Sequence, residues 1–304
     1  MSTEYHTLSQ KKIRWLQKRL LAWYAGHQRD LPWRRTHDPY KILVSEIMLQ
    51  QTQVDRVISK YNACLKEFPT VRVLAAATPA AVIRAWSGLG YNRRALYLHR
   101  AAQTILTTHK GVFPRDPKML EALPGVGKYT ARAIVCFAFK KDIATADVNI
   151  LRVFHRWVYG VDVPTKRVSV QNLWELAEQM LPKGNGYPWN HGLMDFGALV
   201  CTAKRPKCDE CPMRARCVAY PKILDVDWTK RTQSKATPFK DSDRYYRGRI
   251  IEYLRHVPQH EAEVKVIVRA LRTTCSPLRT QRIIAGLFKD QLITRHLGRV
   301  SLPQ

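Results

Sequence analysis

The chain has 304 residues, of which 45% are hydrophobic, enough to bury a sizeable core and to exclude a disordered polymer. Lys and Arg number 51 against 24 Asp and Glu, so the net charge is +27, which favours a polyanionic partner, most often nucleic acid, with a solubility device or a ribosome-associated protein without chemistry as the alternative. No run of 18 apolar residues occurs and the N-terminus lacks an apolar signal core, so no membrane association is expected, and a cytoplasmic location, on the nucleoid if the source is bacterial or archaeal, is.

Residues 11–27 read as an amphipathic helix, with Ile13, Leu16, Leu20, Trp23 and Tyr24 on one stripe. A turn follows at 29–34. From Tyr40 to about Ala138 helix succeeds helix, broken at Phe68-Pro69, Thr78-Pro79, Gly88-Leu89-Gly90, Phe113-Pro114 and Pro124-Gly125, with no alternating run long enough for a sheet. Within this stretch Glu46 lies in the apolar run VSEIMLQQT. A carboxylate so placed is more often a helix cap or ion-pair partner than a catalyst. Leu123-Pro124-Gly125-Val126-Gly127-Lys128-Tyr129-Thr130 joins two helical segments. Gly125 and Gly127 permit a tight turn, and the next helix start with Lys128 suits a phosphate, although many such turns are ordinary. Asp147, in TADVN, is placed either to cap the helix that follows or to do chemistry.

Further helices fit 149–159, 168–181 and 190–200. Then come four cysteines, Cys201-x6-Cys208-x2-Cys211-x5-Cys217. Four thiolates within seventeen residues can close one metal site. Structural zinc usually takes two close pairs, whereas only one close pair exists here, so the spacing favours a [4Fe–4S] cluster and leaves zinc open. Lys204, Arg205 and Lys207 make the loop basic, fit either to grip phosphates or to offset the thiolate charge. Cys64, Cys136 and Cys275 read as small core residues. Residues 221–243 read as a linker. Beyond it, helices over 244–255, 261–272 and 277–291 and a hairpin near 296–299 are compatible with a winged helix, whose third helix would present Arg279, Gln281, Arg282 and Lys289 to a groove; a small helical packing module is the simpler alternative.

Taken in order, SEIMLQQTQV, GLGY, LPGVGKYTA, ADVNILRV, LMDFGALVC and the cysteine quartet resemble the MutY-type adenine DNA glycosylases, over about residues 29–220. The resemblance implies an all-α helix-hairpin-helix glycosylase. Its parts would be a six-helix barrel over 31–133, a [4Fe–4S] domain over 1–30 and 134–220, a linker over 221–243 and a small basic domain over 244–304. It also implies a monomer acting on mismatched or damaged double-stranded DNA. By this resemblance Glu46 protonates a flipped adenine at N7 and Asp147 stabilises the sugar cation. Asn149 and Tyr129 support the two acids. Arg29 and Arg34 lie near the base pocket. Gln51 and Tyr91 enter the stack, with Leu49, Thr52 and Leu89 nearby, and Gly125, Gly127 and Lys128 hold a phosphate. Cys201, Cys208, Cys211 and Cys217 hold the cluster, which then becomes far the better reading than zinc.

The chemistry agrees with that division of labour, because an N-glycosidic bond breaks when the leaving base is protonated and the oxocarbenium-like sugar is stabilised. Lyase-competent relatives carry a lysine where this chain has Tyr129, and Lys128 is turned about 100° away around a helix, so a monofunctional enzyme is expected. Three departures stand out. Val148 replaces a glycine usual between the acid and the asparagine, Asn92 stands where a second tyrosine is common, and residues 244–304 do not resemble the Nudix-like domain that reads 8-oxoguanine. Two alternatives are a thymine or uracil glycosylase acting opposite guanine, and a non-catalytic iron–sulfur regulator; the run Leu49-Gln50-Gln51-Thr52 favours adenine, and the presence of both acids argues against the regulator.

Overall fold

A computed structural model describes residues 8–162, 168–228 and 238–304. The chain divides into two compact units, the first made of residues 1–37 and 128–234 and the second of 38–127 and 235–304. Among the described residues, no helix is long and apolar enough to cross a membrane.

The first unit is built from α1 (Gln10–His27), α8 (Lys128–Phe139), α9 (Val148–Val158), α10 (Val170–Gln179) and α11 (Gly186–Leu199). Leu16 and Leu20 of α1 pack with Ile150, Phe154 and Trp157 of α9 and Trp189, Leu193 and Phe196 of α11, so the expected N-terminal stripe does close a core. At the centre of this helical layer Asp195 of α11 is fully buried. It accepts hydrogen bonds from Arg34 at 2.7 and 2.8 Å and from the Nε and backbone N–H of Arg29 at 2.6 and 3.1 Å. Burial pushes the Asp195 pKa up, but the Arg34 hydrogen bonds and the two guanidinium charges outweigh it and hold the carboxyl below its usual range.

The second unit contains α2 (Pro39–Leu49), α3 (Val54–Glu67), α4 (Val71–Ala76), α5 (Pro79–Ala85), α6 (Arg93–Thr107) and α7 (Pro117–Glu121), then α12 (Asp243–His256), α13 (Val264–Leu271) and α14 (Pro277–Lys289). Asp38, Thr70, Thr78 and Asp116 cap α2, α4, α5 and α7 with side-chain oxygens, so each helix begins where a short polar residue satisfies its free N–H groups. The C-terminal residues form a small module of α12, α13, α14 and a three-stranded sheet. Strands β1 (Glu261–Glu263), β2 (Thr294–His296) and β3 (Arg299–Ser301) make an antiparallel sheet in the order β1-β3-β2. The helix expected from Glu261 is corrected here. Residues 261–263 alternate intermediate, buried and intermediate and pair with 299–301, and the helix starts only at Val264. Of the expected linker, 222–225 forms a 3-10 turn and 229–237 lies outside the described residues. Cys64, Cys136 and Cys275 are buried, as expected of core thiols.

Arg94, in the first turn of α6, ties the second unit's loops together. Its guanidinium is buried and donates to the carbonyls of Ile47, Met48 and Gln50 at 3.0, 2.8 and 2.5 Å. It also donates to the carbonyls of Leu89 and Gly90, both at 3.1 Å, and to Thr52 Oγ1 at 3.0 Å. Three of these carbonyls end α2, where no intrahelical donor exists. The ring of Trp86 lies 5.4 Å below the guanidinium. Burial pulls the Arg94 pKa down to about 10, which leaves it charged at neutral pH.

Arg94 and Asp195 each have consequences for stability. Replacing Arg94 with Met should cost at least about 3 kcal/mol, since several buried acceptors lose their donor at roughly 1–3 kcal/mol each; urea unfolding measures it. In the same variant, amide exchange should quicken first at 49–52 and 89–91. At Asp195 the folded pKa is depressed, so its contribution to stability is complete above the unfolded value near 3.9 and disappears as pH falls through the folded value. Asp195→Asn should destabilise by about 3–5 kcal/mol at pH 7, by stranding Arg34, and should flatten stability against pH below about 4; thermal melts across pH check both.

Candidate functional site

Two loops of the second unit meet at Arg94, and each carries a strained residue expected to enter the DNA stack. Gln51 follows α2 with φ of 56° and Tyr91 precedes α6 with φ of 46°. Neither is glycine, and a left-handed conformation persists in such residues only where neighbours impose it. Arg94 does so, by bonding the carbonyls on both sides: Gln50 in one loop and Gly90 in the other. Both side chains remain exposed, Tyr91 by 36%. Leu49 and Thr52 are half-buried, and Thr52 Oγ1 stands 3.5 Å from the Leu89 carbonyl. Leu89 itself is buried, so it packs inward instead of presenting a surface.

The hairpin adjoins the first of these loops, because Gln50 donates to the Gly125 carbonyl at 3.2 Å. Gly125 has φ of 77°, and a Cβ there would stand 2.6 Å from Tyr97 Cβ, so only glycine fits. A Cβ on Gly127 would meet open space. The chain then enters α8 at Lys128, whose ammonium sits 4.4 Å from the Trp174 ring centre.

Glu46 belongs to the second unit. It faces inward from α2 with only 6% exposure, between Ser45 and Ile47, which are buried too. Asp147, Asn149 and Tyr129 belong to the first unit. Asp147 is the N-cap of α9. One carboxylate oxygen accepts from the backbone N–H groups of Asn149 and Ile150 at 2.9 and 2.7 Å, and the other from Asn149 Nδ2 at 2.9 Å. Capping and a chemical role are therefore compatible at one residue. Val148, the departure beside it, is 77% exposed, and its side chain takes no part in the cap. Tyr129 Oη lies 3.9 Å from Met194 Sδ.

Asn190 holds the segment leading to Asp147, accepting from Thr145 N–H at 2.9 Å and donating to the Ile143 carbonyl at 2.9 Å. Arg132 adds a bond to the Ala144 carbonyl at 2.6 Å. Beyond the cap, Arg152 donates to Asn149 Oδ1 at 2.9 Å, to the Gly197 carbonyl at 2.7 Å and to the Cys201 carbonyl at 2.9 and 3.0 Å. Asp147 is thus linked through Asn149 and Arg152 to the cysteine loop. Sequence reasoning missed Asn190, Arg132, Arg152, Arg94 and Asp195. Asp195 and Arg152 were visible in or beside quoted motifs, but none of these residues has a spacing that betrays its partner. Arg29 and Arg34, expected near the base pocket, both bond Asp195, with 27% and 9% of their side chains exposed.

The four cysteines influence one another electrostatically, and burial raises the pKa of each, that of Cys211 to about 12. Opposing this, Arg156 charge and its hydrogen bond, 3.6 Å from Cys201 Sγ, favour the Cys201 thiolate. Backbone N–H groups of Met213, Ala219 and Tyr220 do so at Cys211 and Cys217. Donors aimed at sulfur suit thiolates bound to metal. Among the described residues, no three Cys, His, Asp or Glu side chains close around a single ion. Four cysteines with donors aimed at their sulfurs fit the thiolate ligands of a cluster.

Comparison with known proteins agrees. Residues 44–179 match the helix-hairpin-helix superfamily of base excision DNA repair proteins, and residues 201–217 the iron–sulfur binding domain of endonuclease III. The second match begins and ends on the outer cysteines and gives the chain a [4Fe–4S] cofactor. The adenine DNA glycosylase of Mycolicibacterium smegmatis is 38% identical over 291 residues, 93% of this chain and 94% of that protein. The thymine/uracil-DNA glycosylase of Methanothermobacter thermautotrophicus is 35% identical over 70% of this chain and 96% of that protein. The solved structure of a thermostable thymine-DNA glycosylase superposes with a TM-score of 0.65 at 35% identity, covering 70% of this chain and 98% of that one. The chain belongs to the MutY-type adenine DNA glycosylases of the helix-hairpin-helix base excision repair superfamily.

Proposed function

We propose that this chain is a monofunctional, monomeric DNA glycosylase that flips adenine out of mispairs with guanine or 8-oxoguanine and hydrolyses its N-glycosidic bond. The observation that carries the reading is the length of the match to an adenine glycosylase. Covering 93% of the chain, it must take in most of residues 244–304, whereas the thymine/uracil relative accounts for 70%.

A base inside a duplex is out of reach, so it must leave the stack at a cost of a few kcal/mol. Gln51 and Tyr91, held on strained and exposed loops, fill the vacated space. The Gly125 turn, Gly127 and Lys128 at the start of α8 supply N–H donors and charge for one backbone phosphate. Glu46, on a buried stretch of α2, delivers a proton to adenine N7, which turns the base into a neutral leaving group. Asp147 is already fixed by three N–H donors, so its remaining lone pairs and its charge are oriented before the sugar cation develops, and water completes the hydrolysis. Asn149 and Tyr129 support the two acids. Arg29 and Arg34 border the base pocket by way of their shared hold on Asp195. The cluster held by Cys201, Cys208, Cys211 and Cys217 supplies structural rigidity to a basic loop, in which Lys204, Arg205 and Lys207 are exposed.

Purified enzyme assayed on duplexes carrying A opposite G, A opposite 8-oxoguanine, T opposite G and U opposite G should release adenine alone. Free thymine or uracil would replace this reading with that of the archaeal relative, and binding without release would replace it with a regulator. Glu46→Gln should keep duplex affinity within about threefold and lower adenine release by at least about 100-fold, in the range general acids contribute. Full activity in that variant removes Glu46 as the acid. Because no lysine stands at position 129, borohydride should trap negligible enzyme–DNA adduct on intact substrate; abundant adduct on a gel would contradict the monofunctional assignment.

A further inference from the structure

Helix α12 of the C-terminal module lies along residues 83–92 and touches them at three heights. Arg255 donates to the Ile83 carbonyl at 2.8 and 3.1 Å and to Asn92 Oδ1 at 3.0 Å. Glu252 accepts from Ser87 Oγ at 3.3 Å and pairs with Arg255 at 2.5 Å. One end of the helix brings Arg244 over Tyr91. Its guanidinium carbon is 4.9 Å from the ring centre, it donates a hydrogen bond to the phenol oxygen, and Phe239 flanks it at 4.8 Å. Residues 244, 252 and 255 recur at helical spacing, so one face of α12 serves this loop. The Tyr91 ring also lies 5.5 Å from the Arg94 guanidinium. The exposed aromatic therefore meets two cations, one from α6 and one from the C-terminal module.

We propose that Arg244 is a positioning residue for base extrusion: the C-terminal module, through Arg244 on α12, sets the orientation in which the Tyr91 ring enters the DNA stack. This rests on the reading of Tyr91 as the side chain that enters the stack. A tyrosine on a turn is otherwise free to sample several rotamers, and ordering it during insertion slows the step. A planar guanidinium stacked on the ring and bonded to its hydroxyl removes that search beforehand, and lysine cannot do the same because it offers neither a plane nor a fork of donors. Asn92 has the complementary task, since its side chain anchors the residue after Tyr91 to Arg255. The departure from the family's usual tyrosine at this position is matched by a partner from the module.

The test uses the full chain and a duplex with 2-aminopurine as the target base, whose fluorescence rises when it leaves the stack. Arg244→Ala, Arg244→Lys and Tyr91→Phe should each slow the fluorescence rise about tenfold, consistent with losing one hydrogen bond to a charged group. The double variant Arg244→Ala with Tyr91→Phe should be no slower than either single one. Arg249→Ala removes an exposed charge from the same helix and should change extrusion less than twofold, while shifting duplex affinity as much as Arg244→Ala does. Equal extrusion rates in Arg244→Ala and Arg249→Ala, or additive losses in the double variant, would overturn the proposal and leave Arg244 as one more phosphate-attracting charge. Tyr91→Ala separates the layers. Wild-type extrusion in that variant overturns the wedge reading of Tyr91 and the proposal with it. Slow extrusion there beside normal extrusion in Arg244→Ala overturns only the proposal. Arg244→Lys and Tyr91→Phe conserve size, so the bond is tested even if Arg244→Ala unfolds.

Discussion

A buried guanidinium facing six neutral acceptors is the constraint on which the second unit depends. Arg94 has no paired carboxylate among the described residues; its charge is balanced by carbonyl dipoles at the end of α2 and in the 89–90 turn. Such an arrangement is costly to assemble and costlier to break, because the Ile47, Met48 and Leu89 carbonyls belong to buried residues. It also has a geometric effect that a salt bridge would lack. A fork of donors that must satisfy two loops at once fixes the separation of those loops, and so fixes where Gln51 and Tyr91 are displayed. Strain at two left-handed residues is then sustained by the same bonds that end the helix carrying Glu46.

The first unit uses the opposite solution. Its central cations, Arg29 and Arg34, meet a real carboxylate at Asp195, while Arg152 runs from Asn149 to the carbonyls of Gly197 and Cys201. The Asp147 cap and the cysteine loop therefore share one scaffold, and a disturbance at the cluster has a short bonded route to the cap. Close packing supports it. A Cβ on Gly197 would approach Asn149 Cβ to 3.0 Å, so the glycine allows α9 and α11 a closer approach than a larger residue would.

Much of this was legible in the sequence. Periodicity placed the helices, because amphipathic stripes such as Leu16 and Leu20 report burial directly. The cysteine spacing announced a metal site, and the turn at Gly125 announced itself through a residue that nothing larger can replace. The short strand β1 was not legible: three residues, Glu261 to Glu263, carry too little pattern, and their pairing partner lies almost forty residues later. The long-range polar contacts were equally silent. Arg94, Arg152 and Asn190 look like ordinary helix residues, and only folding reveals which carbonyls they face. Arg29 and Arg34 were noticed as charges near a site, but their common partner Asp195 lies more than 160 positions away.

The anchoring of Asn92 by Arg255 bears on how freely pieces of such enzymes can be exchanged. A tyrosine at position 92 would have no amide oxygen for Arg255. The helices of residues 38–127 and the C-terminal module are thus coupled through a residue in the turn before α6. A chimera joining residues 38–127 to a different C-terminal module would leave Asn92 without the Arg255 guanidinium it meets here. Exchanging the module would therefore change the surroundings of the residue that follows Tyr91, and with them the turn that displays the ring.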